Sequence, residues 1–433
     1  MWLHRCYLDL SYLMNIKTLK HYNFKQNSKD SDIVMIMGST RSIPSGDNSS
    51  NAIGEMIIQL TEKLSFYKIK VISNWNPSLI GKNYDKSKYL HVNRSIIDKV
   101  YYYILPYIPY RLKKYVYGYT DTNRIIYYIG VKRLLKKINP SIVISHVHFY
   151  LFKCAKSAVP DSKHIFYFHS SNLGDWGKTE LKFLFNTADG ILSVCNYAFI
   201  DVKKKHDLVH LNTQVIHNGL QRGQFTIQKR LNKRLKNRLK YGMSNDDIVM
   251  LYAGRIHPSK GIDLIIKTFL DCYQKNKNIR LIVVGGGHSK YDDSKFEEEI
   301  IQISDRIENN IIQFIGWKDH KEMMNIYSLA DISILASLKV EGCPFFILES
   351  MACGLPVVST NIGGVPEIVT NNHTGLLINR NNIKDELQIA IQRLIKDKTL
   401  RNRLGENASN HIDSNLNLDI MSGKLDEYLQ TFI

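Results

Sequence analysis

Short apolar runs recur along the chain and are separated by stretches with the spacing of amphipathic helices. The first group of runs lies at residues 32–37, 68–73, 141–145, 164–168, 190–194 and 214–217. After a pause that contains a basic helical pattern at 229–240, a second group follows at 248–253, 279–284, 311–315, 332–336, 356–359 and 375–378. Such alternation indicates buried parallel strands with helices on both faces. The pattern therefore predicts an α/β protein with two doubly wound sheets.

A boundary near Gly219 divides the predicted domains. We expect an N-terminal extension at 1–30, a first domain at 31–218, a second domain at 219–412 and a C-terminal helical segment at 413–433. A chain of 433 residues is long enough for two or three domains. Arg5 and Asp9 interrupt the apolar positions of the first 14 residues, which is not typical of a signal peptide. A short surface arm and an extension upstream of a start at Met14 both stay open.

The net charge of +18 favours anionic partners, namely phosphorylated substrates, acidic lipid surfaces or nucleic acid. A generally lysine-rich surface would produce the same charge. The basic residues lie on no nucleic-acid-binding motif, so nucleic acid is not an expected partner. The six cysteines, at 6, 154, 195, 272, 343 and 353, form no Cys-x-x-Cys pair, which favours a reducing cytoplasm over a disulfide framework. No apolar run approaches the ~18 residues that span a bilayer.

The most specific motif contains two glutamates, Glu341 and Glu349. Pro344 suits the first position of a helix, since its missing N–H is not needed there, and Gly354 suits the end of that helix. Glu341 is therefore predicted in the loop before the helix and Glu349 inside it, roughly 12 Å away along the axis. This separation is comparable to the length of a nucleotide sugar, so the two carboxylates could hold both of its ends.

The run E-G-C-P-F-F-I-L-E-S-M-A-C-G-L-P-V-V at 341–358, followed by N-I-G-G-V-P-E-I-V at 361–369, resembles retaining glycosyltransferase family 4, with its E-x7-E motif. The resemblance covers about residues 31–410. It implies a GT-B fold, in which two Rossmann-like domains with parallel sheets face a central cleft. The first domain would bind the acceptor, the second the nucleotide sugar, and the C-terminal helix would pack back on the first domain.

The resemblance also implies an activity. We expect metal-independent transfer of a hexose-type sugar from a nucleoside-diphosphate sugar, with UDP the expected carrier, to a glycan or lipid-linked acceptor in bacterial cell-surface polysaccharide or glycoconjugate synthesis. No cofactor and no metal site are predicted. The competing hypothesis is a non-catalytic sugar-nucleotide-binding subunit of a glycan assembly complex.

Arg255 and Lys260 follow the first strand of the second domain, and Ser259 is a suitable N-cap for a helix after it. Cations beside a helix N-terminus at the carboxyl end of a strand form an anion site. In the family, this Arg and Lys hold the donor diphosphate. Together with Glu341 and His169 they are the predicted catalytic residues. The alternative is a pair of solvated surface cations.

In the family, Glu341 faces the transferred sugar and Glu349 binds the ribose hydroxyls; the alternatives are a turn carboxylate and a helix-surface carboxylate. Many members have Gly-Phe-Gly after the first Glu, where this chain has Gly-Cys-Pro. Because Pro344 cannot donate a hydrogen bond, backbone donors must come from its neighbours. The predicted donor-binding residues of this segment are Gly342, Cys343, Phe345 and Phe346.

Glycine-containing turns after three strands complete the predicted donor site. Gly254 ends the first strand, the run Val284-Gly-Gly-Gly-His resembles the family's V-G-x-G turn, and a Gly-Trp pair ends the third strand. A plain tight turn and a half-buried rim aromatic are the alternatives. The residues predicted here are Gly254, Gly285, Gly287, Gly316 and Trp317.

In the first domain, His169 ends a strand where the family places a histidine at the donor sugar; a capped core histidine is the alternative. Gly46 is also predicted to bind the donor. It is the one glycine left in a loop where the family commonly shows two, and this departure motivates the non-catalytic hypothesis. His146 and His148 alternate on one predicted strand face without a third ligand, so no metal site is predicted.

The segment from Arg94 to Lys137 holds ten basic and two acidic residues among many tyrosines. Such mixtures suit bilayer interfaces, so an anionic membrane surface is a hypothetical further partner, with the protein peripheral on the inner face of the cell membrane. A solvated helical face is the alternative.

Overall fold

The computed structural model describes residues 33–37, 52–74, 84–92, 109, 122–210, 212–286, 293–305 and 311–433. The predicted N-terminal extension, the predicted sites at Gly46 and Gly287, and most of the predicted membrane segment lie outside these residues.

Strands and helices alternate through the first half of the chain. The described elements are β1 (Ile33–Ile36), α1 (Ala52–Lys63), β2 (Ile69–Asn74), β3 (Tyr89–Val92), α2 (Thr122–Ile138), β4 (Ile142–His146), α3 (Phe149–Ala158), β5 (Lys163–Phe168), α4 (Lys178–Thr187), β6 (Gly190–Ser193), α5 (Asn196–His206) and β7 (Thr213–Val215). In this part of the structure, the strands form one parallel sheet in the order β3-β2-β1-β4-β5-β6-β7.

The second half repeats this organisation. It contains α6 (Ile227–Lys240), β8 (Ile248–Ala253), α7 (Ile262–Lys275), β9 (Ile279–Val284), α8 (Asp293–Asp305), β10 (Ile312–Phe314), α9 (Met323–Tyr327), β11 (Ile332–Leu335), α10 (Phe345–Ala352), β12 (Val357–Thr360), α11 (Val365–Ile368), β13 (Gly375–Ile378), α12 (Ile383–Lys396), α13 (Lys398–Asn415) and α14 (Leu418–Gln430). The described strands form a second parallel sheet in the order β10-β9-β8-β11-β12-β13.

Every predicted apolar run appears as a strand, because a parallel strand that is covered on both faces is largely apolar. The residues of β1 and β11 are all buried, as this rule requires. The structure adds β3, which the apolar pattern did not predict. Its sequence, Tyr-Leu-His-Val, is short and mixed, and within the described part of the chain its one partner strand is β2, which leaves β3 at the edge of the sheet.

The strand order reverses between β1 and β4 in the first sheet and between β8 and β11 in the second. Parallel sheets bind ligands outside the carboxyl ends of the strands at such switch points. The fold thus marks one ligand-binding edge in each sheet.

The C-terminal helix α14 contacts the first domain. The Tyr67 hydroxyl donates to Asp426 Oδ1 at 2.7 Å, and the Tyr428 hydroxyl donates to the carbonyl of Asn212 at 3.0 Å. Gly190, at the start of β6, lies directly against the Tyr428 hydroxyl, so a larger residue there would collide with it.

Two details correct the sequence predictions. His146 ends β4, Val147 has a φ of 70°, and His148 is the N-cap of α3, so the two histidines do not share a strand face. In the described part of the predicted membrane segment, Tyr127 and Tyr128 are buried, and Tyr127 donates to the carbonyl of Met37 at 2.6 Å. These two tyrosines belong to the core.

Among the described residues, no helix combines the length and the apolar character that crossing a membrane requires.

Candidate active site

Backbone loops that follow β8, β9 and β10 lie side by side at the carboxyl edge of the second sheet. The N–H of Gly254 donates to the carbonyl of Val284, and the N–H of Gly285 donates to the carbonyl of Gly316, both at 3.0 Å. Gly285 has a φ of 125°, and a Cβ there would lie 1.9 Å from the carbonyl oxygen of Gly254. Only glycine permits this approach. The structure thus brings Gly254, Gly285 and Gly316 together and gives Gly285 a packing role.

Lys260 and Glu341 meet at the switch point between β8 and β11. Their Nζ and Oε1 atoms are 2.5 Å apart, and both side chains are largely buried. Gly261 follows with a φ of 66°, and a Cβ there would lie 2.2 Å from the carbonyl oxygen of Ala336, just after β11. This close contact holds the Lys260 turn against the loop that carries Glu341.

The helix that follows this turn begins later than predicted. The segment Pro258–Lys260 is a 3-10 turn, and its N-cap is His257, whose Nδ1 accepts from the N–H of Ser259 at 3.0 Å. Helix α7 starts only at Ile262. Ser259 is therefore not the N-cap of α7; its carbonyl instead accepts from the N–H of Leu338 at 2.8 Å.

Arg255 projects from the same loop into solvent. Its backbone is anchored, because the hydroxyl of the buried Tyr252 donates to the carbonyl of Arg255 at 2.6 Å. The guanidinium is thus carried by a fixed backbone while its head stays accessible.

The Glu341 carboxylate is held by a second donor, and its backbone by a glycine pair. Ser337 Oγ donates to Glu341 Oε1 at 2.5 Å, and the N–H of Gly364 donates to the carbonyl of Glu341 at 2.8 Å. Gly363 has a φ of 59°, and a Cβ there would lie 2.2 Å from that same carbonyl oxygen. The Gly363-Gly364 turn therefore fixes the position of Glu341.

Glu349 lies on α10 and is only 4% exposed. Its Oε1 is 2.8 Å from His320 Nε2, and its Oε2 accepts from the hydroxyl of Tyr327 at 2.7 Å. Burial lowers the pKa of His320, but the hydrogen bond and negative charge of Glu349 outweigh burial, so the pKa of this imidazole is raised. Both carboxylate oxygens are thus oriented before any ligand binds.

Helix α10 begins one residue later than predicted, since Pro344 is its N-cap and Phe345 its first residue. The first N–H groups of a helix have no acceptor within it, so Phe345 and Phe346 present donors at this end. Phe346 also stacks on Tyr327, with ring centroids 6.3 Å apart. The carbonyl of the buried Cys343 accepts from Asn218 Nδ2 at 2.7 Å.

Trp317 follows Gly316 and is 49% exposed. Gly316 has a φ of 66°, a backbone conformation that favours glycine. The Trp317 side chain is thus half-exposed, beside the loop that ends β10.

His169 lies at the end of β5 and forms a pair with His146. Nε2 of His169 and Nδ1 of His146 are 2.8 Å apart, and the rings are stacked. Burial lowers the pKa of His146 to about 3, and burial together with the nearby His146 lowers the pKa of His169 well below its ordinary value. Both rings are therefore neutral at pH 7.

The loop that contains His169 reaches the loop that contains Glu341. A Cβ on Gly342 would lie 3.0 Å from Val194 Cγ2 and 3.4 Å from the backbone of Ser170. The absence of a side chain on Gly342 thus allows the carboxyl edges of the two sheets to come into contact beside Glu341.

Glu367 makes a second contact between the two halves. Its carboxylate accepts from the N–H groups of Asn196 and Tyr197, at 2.8 and 3.0 Å, and lies 3.0 Å from His217 Nε2. Burial raises the pKa of Glu367, but the hydrogen bonds from His217, Asn196 and Tyr197 outweigh burial and lower it. Glu367 thus caps the N-terminus of α5 from the opposite domain.

Sequence reasoning missed several residues that hold the predicted site. One signal was present for His320, since the run Asp319-His-Lys-Glu322 has the pattern of a capping box, which the structure confirms. No local pattern marks the others, because their partners lie far away in the chain. The residues missed are Ser337, His320, Tyr327, His217 and Asn218, together with the role of Glu367.

Two family models match the chain in succession. The model described as Glycosyltransferase Family 4 matches residues 76–222, and the model described as Glycosyl transferases group 1 matches residues 233–411. The second match contains both glutamates of the E-x7-E motif and the two cations of the β8 loop.

Relatives include an uncharacterized glycosyltransferase of Methanocaldococcus jannaschii, 28% identical over 250 residues, which are 56% of this chain and 58% of that protein. A lipopolysaccharide 1,2-N-acetylglucosaminetransferase of Salmonella typhimurium is 22% identical over 348 residues, 73% of this chain and 87% of that protein. The chain thus spans little more than half the length of the archaeal relative.

Solved structures share the fold. Sucrose-phosphate synthase from Thermosynechococcus elongatus superimposes with a TM-score of 0.72 at 17% identity, covering 93% of this chain and 99% of that one. Anabaena HepE in complex with UDP-glucose gives a TM-score of 0.69 at 15% identity, covering 92% and 99%. The predicted GT-B fold is therefore confirmed, and with both family models in agreement the chain belongs to the GT-B glycosyltransferases of family 4.

Proposed function

We propose that this chain transfers a hexose-type sugar from a UDP-sugar to a glycan or lipid-linked acceptor, with retention of anomeric configuration. The observation that carries the proposal is the pairing of Lys260 with Glu341 at the switch point of the second sheet. This pair sets a cation and a carboxylate side by side where parallel sheets bind ligands. A nucleotide sugar calls for both, a cation for its diphosphate and an acceptor for its sugar hydroxyls.

In this proposal Lys260 and Arg255 bind the donor diphosphate. Lys260 can do so while it is held by Glu341, since an ammonium group has three N–H donors. Arg255 adds an exposed guanidinium on the same loop, and its planar fork matches phosphate geometry. Negative charge develops on the diphosphate as the glycosidic bond breaks, and fixed cations at that charge lower the barrier. The two residues would take the part that a divalent ion plays in other transferases.

Glu349 would bind the ribose hydroxyls. His320 and Tyr327 each occupy one of its oxygens, and an ionised carboxylate keeps further lone pairs for two vicinal O–H groups. Trp317 would stack on the base from the rim. The glycine loops that contain Gly254, Gly285 and Gly316, together with the start of α10, would border the diphosphate.

Glu341 and His169 would face the transferred sugar, where the two sheets come into contact. Support for a UDP-sugar and a cell-surface glycan comes from the names of related proteins, the Salmonella lipopolysaccharide 1,2-N-acetylglucosaminetransferase and the Anabaena structure with UDP-glucose. Support for retention of configuration comes from the resemblance of the E-x7-E run to the retaining family.

Donor hydrolysis tests the proposal without knowledge of the acceptor. The chain is incubated with UDP-glucose, UDP-N-acetylglucosamine and GDP-mannose, and release of the nucleoside diphosphate is measured. We expect release from at least one UDP-sugar, and we expect Arg255→Ala and Lys260→Ala each to slow it at least ~100-fold, because each removes a contact with developing charge.

The matched control is Lys267→Ala, which removes an exposed lysine from α7 and should leave the rate unchanged. Near-normal rates in both site variants would contradict the diphosphate role. Binding of UDP without release from any donor, with and without glycan acceptors, would favour the non-catalytic binding subunit instead.

A further inference from the structure

Helix α6 (Ile227–Lys240) carries three parallel rows of side chains. Positions three and four apart lie on the same face of a helix, so each row runs along the helix. The helix contains no acidic residue. The arginine row is Arg230, Arg234 and Arg238; the leucine row is Leu231, Leu235 and Leu239; the lysine row is Lys229, Lys233, Lys236 and Lys240.

The arginine row faces the protein and sets the rotation of the helix. Arg238 is 0% exposed, and its guanidinium donates to the carbonyls of Leu329 and Asp247 and to Asp331 Oδ2, at 2.8, 2.8 and 2.5 Å. Arg234 pairs with Asp331 Oδ1 at 2.6 Å. Turning the helix by a third of a turn would bury the leucines but break these bonds.

The leucine row consequently faces outward. Leu231, Leu235 and Leu239 are 49%, 58% and 69% exposed. A surface helix ordinarily turns its apolar row towards the core, and here the row covers about 12 Å of the helix without contributing to the core. The fold therefore maintains an exposed apolar stripe.

The lysine row lies along one side of this stripe, and all four lysines are exposed. Lys229 and Lys233 are oriented by hydrogen bonds to the carbonyl of Gly223, at 2.5 Å, and to Asn325 Oδ1, at 2.8 Å. Neither acceptor carries a charge. The outer face of α6 is thus apolar along one row and positively charged along the next, with no acid in the helix to offset the charge.

We propose that this outer face of α6 docks the chain on an anionic lipid bilayer. Leucines on such a face enter the boundary of the acyl chains, while lysines extend to acidic headgroups. Pairing with a second copy would instead bring two basic helices together, and repulsion between like charges opposes that arrangement. The inference goes beyond sugar transfer and does not depend on it.

Vesicle co-sedimentation tests the inference. The probes are phosphatidylcholine vesicles with and without about 30% phosphatidylglycerol, at about 0.1 M and 0.5 M salt. We expect binding only to the anionic vesicles, weakened by salt. The triple variant Leu231→Gln/Leu235→Gln/Leu239→Gln should bind at least ~10-fold more weakly. The double variant Lys236→Gln/Lys240→Gln should lose about fivefold per lysine.

The matched control lies on α12, where Ile389 is an exposed apolar residue between the exposed Lys384 and Lys396. The variant Ile389→Gln/Lys384→Gln/Lys396→Gln removes similar groups and should bind like the wild type. Equal binding by the leucine variant, no wild-type binding to anionic vesicles, or a wild-type dimer that the leucine variant dissociates would each overturn the inference. Donor hydrolysis should be normal in the leucine variant, so failure here leaves the proposed function untouched.

Discussion

Glu349 illustrates how a buried carboxylate is kept in one orientation. Two neighbours, His320 and Tyr327, each hold one of its oxygens, and Phe346 packs against the tyrosine ring. A buried charge without such partners would be costly. The result is an acceptor whose position is set by the protein before a hydroxyl-bearing ligand arrives.

The histidine pair of the first domain uses burial differently. His146 and His169 are hydrogen-bonded to each other at the carboxyl edge of the first sheet, and both rings are neutral at pH 7. Nδ1 of His169 has no hydrogen-bond partner among the described residues and is buried. His146 therefore orients the ring that we propose to face the donor sugar.

This arrangement predicts a dependence of stability on pH. The folded pKa of His146, about 3, lies below the ordinary pKa of about 6.5, so the unfolded chain binds the extra proton between these values. Stability is therefore lost as the pH falls below about 6.5. We expect His146→Gln to reduce the slope of the unfolding free energy between pH 5 and 6 by about 1.4 kcal/mol per pH unit, measured by urea denaturation.

Ser145→Ala is the control, since it alters a buried polar side chain of the same strand that does not titrate. Its slope should equal that of the wild type. An unchanged slope in His146→Gln would show that the pKa of this histidine is the same in the folded and the unfolded chain, which would contradict the lowered value.

Among the helices, α6 shows most clearly how one side chain sets the position of a whole segment. Arg238 donates to five carbonyl groups or carboxylates around it, from Leu329, Asp331 and the turn at 244–247. Some of these acceptors precede β8 in the sequence, and the others follow it. The arginine thus connects the end of α6 to the beginning of the second sheet.

Replacement of Arg238 should therefore destabilise the second domain. We expect Arg238→Met to lower the free energy of unfolding by about 3 kcal/mol, because it leaves buried carbonyls without donors. Thermal and urea unfolding, followed by circular dichroism, would measure the loss. Arg403→Met, on the exposed face of α13, is the control and should change stability little. Equal stability of both variants would contradict the anchoring role.

The two halves of the protein contact each other through Glu367 and through the loop that contains Gly342. Glu367 binds the N-terminus of α5, while the adjacent Gly363-Gly364 turn holds the backbone of Glu341. One short segment thus connects the relative position of the domains to the position of a predicted catalytic carboxylate.

From this connection we expect Glu367→Gln to impair the reaction more than the fold. An amide cannot accept from both N–H groups of α5 with the strength of a carboxylate, so the contact between domains should weaken. We expect donor turnover to fall at least ~10-fold, measured by release of the nucleoside diphosphate.

Glu386→Gln provides the control, since Glu386 also accepts from a backbone N–H, that of Asn379, but within one domain. Its turnover should match the wild type. Unchanged turnover in Glu367→Gln would show that the contact between domains does not position Glu341.

Local signals predicted much of the fold. Buried parallel strands are largely apolar, so β1 and β8 were evident, whereas β3 was not, because among the described strands it pairs with β2 alone, at the edge of the sheet. Helix ends were predicted to within a few residues. Gly354 follows the end of α10, as expected. Helix α7 begins at Ile262, later than predicted, because the loop before it forms a 3-10 turn against the end of β11.

The sequence alone determined the features that depend on neighbours a few positions away. These are the E-x7-E run, the cations at 255 and 260, and the alternation of strands and helices. The side chains that bind these groups could not be predicted in this way. His320 for Glu349, His146 for His169, and the outward rotation of the leucines on α6 result from contacts between segments distant in the chain. Only the tertiary structure determines which of these contacts form, since apolar side chains must be buried and polar groups hydrogen-bonded in all segments at once.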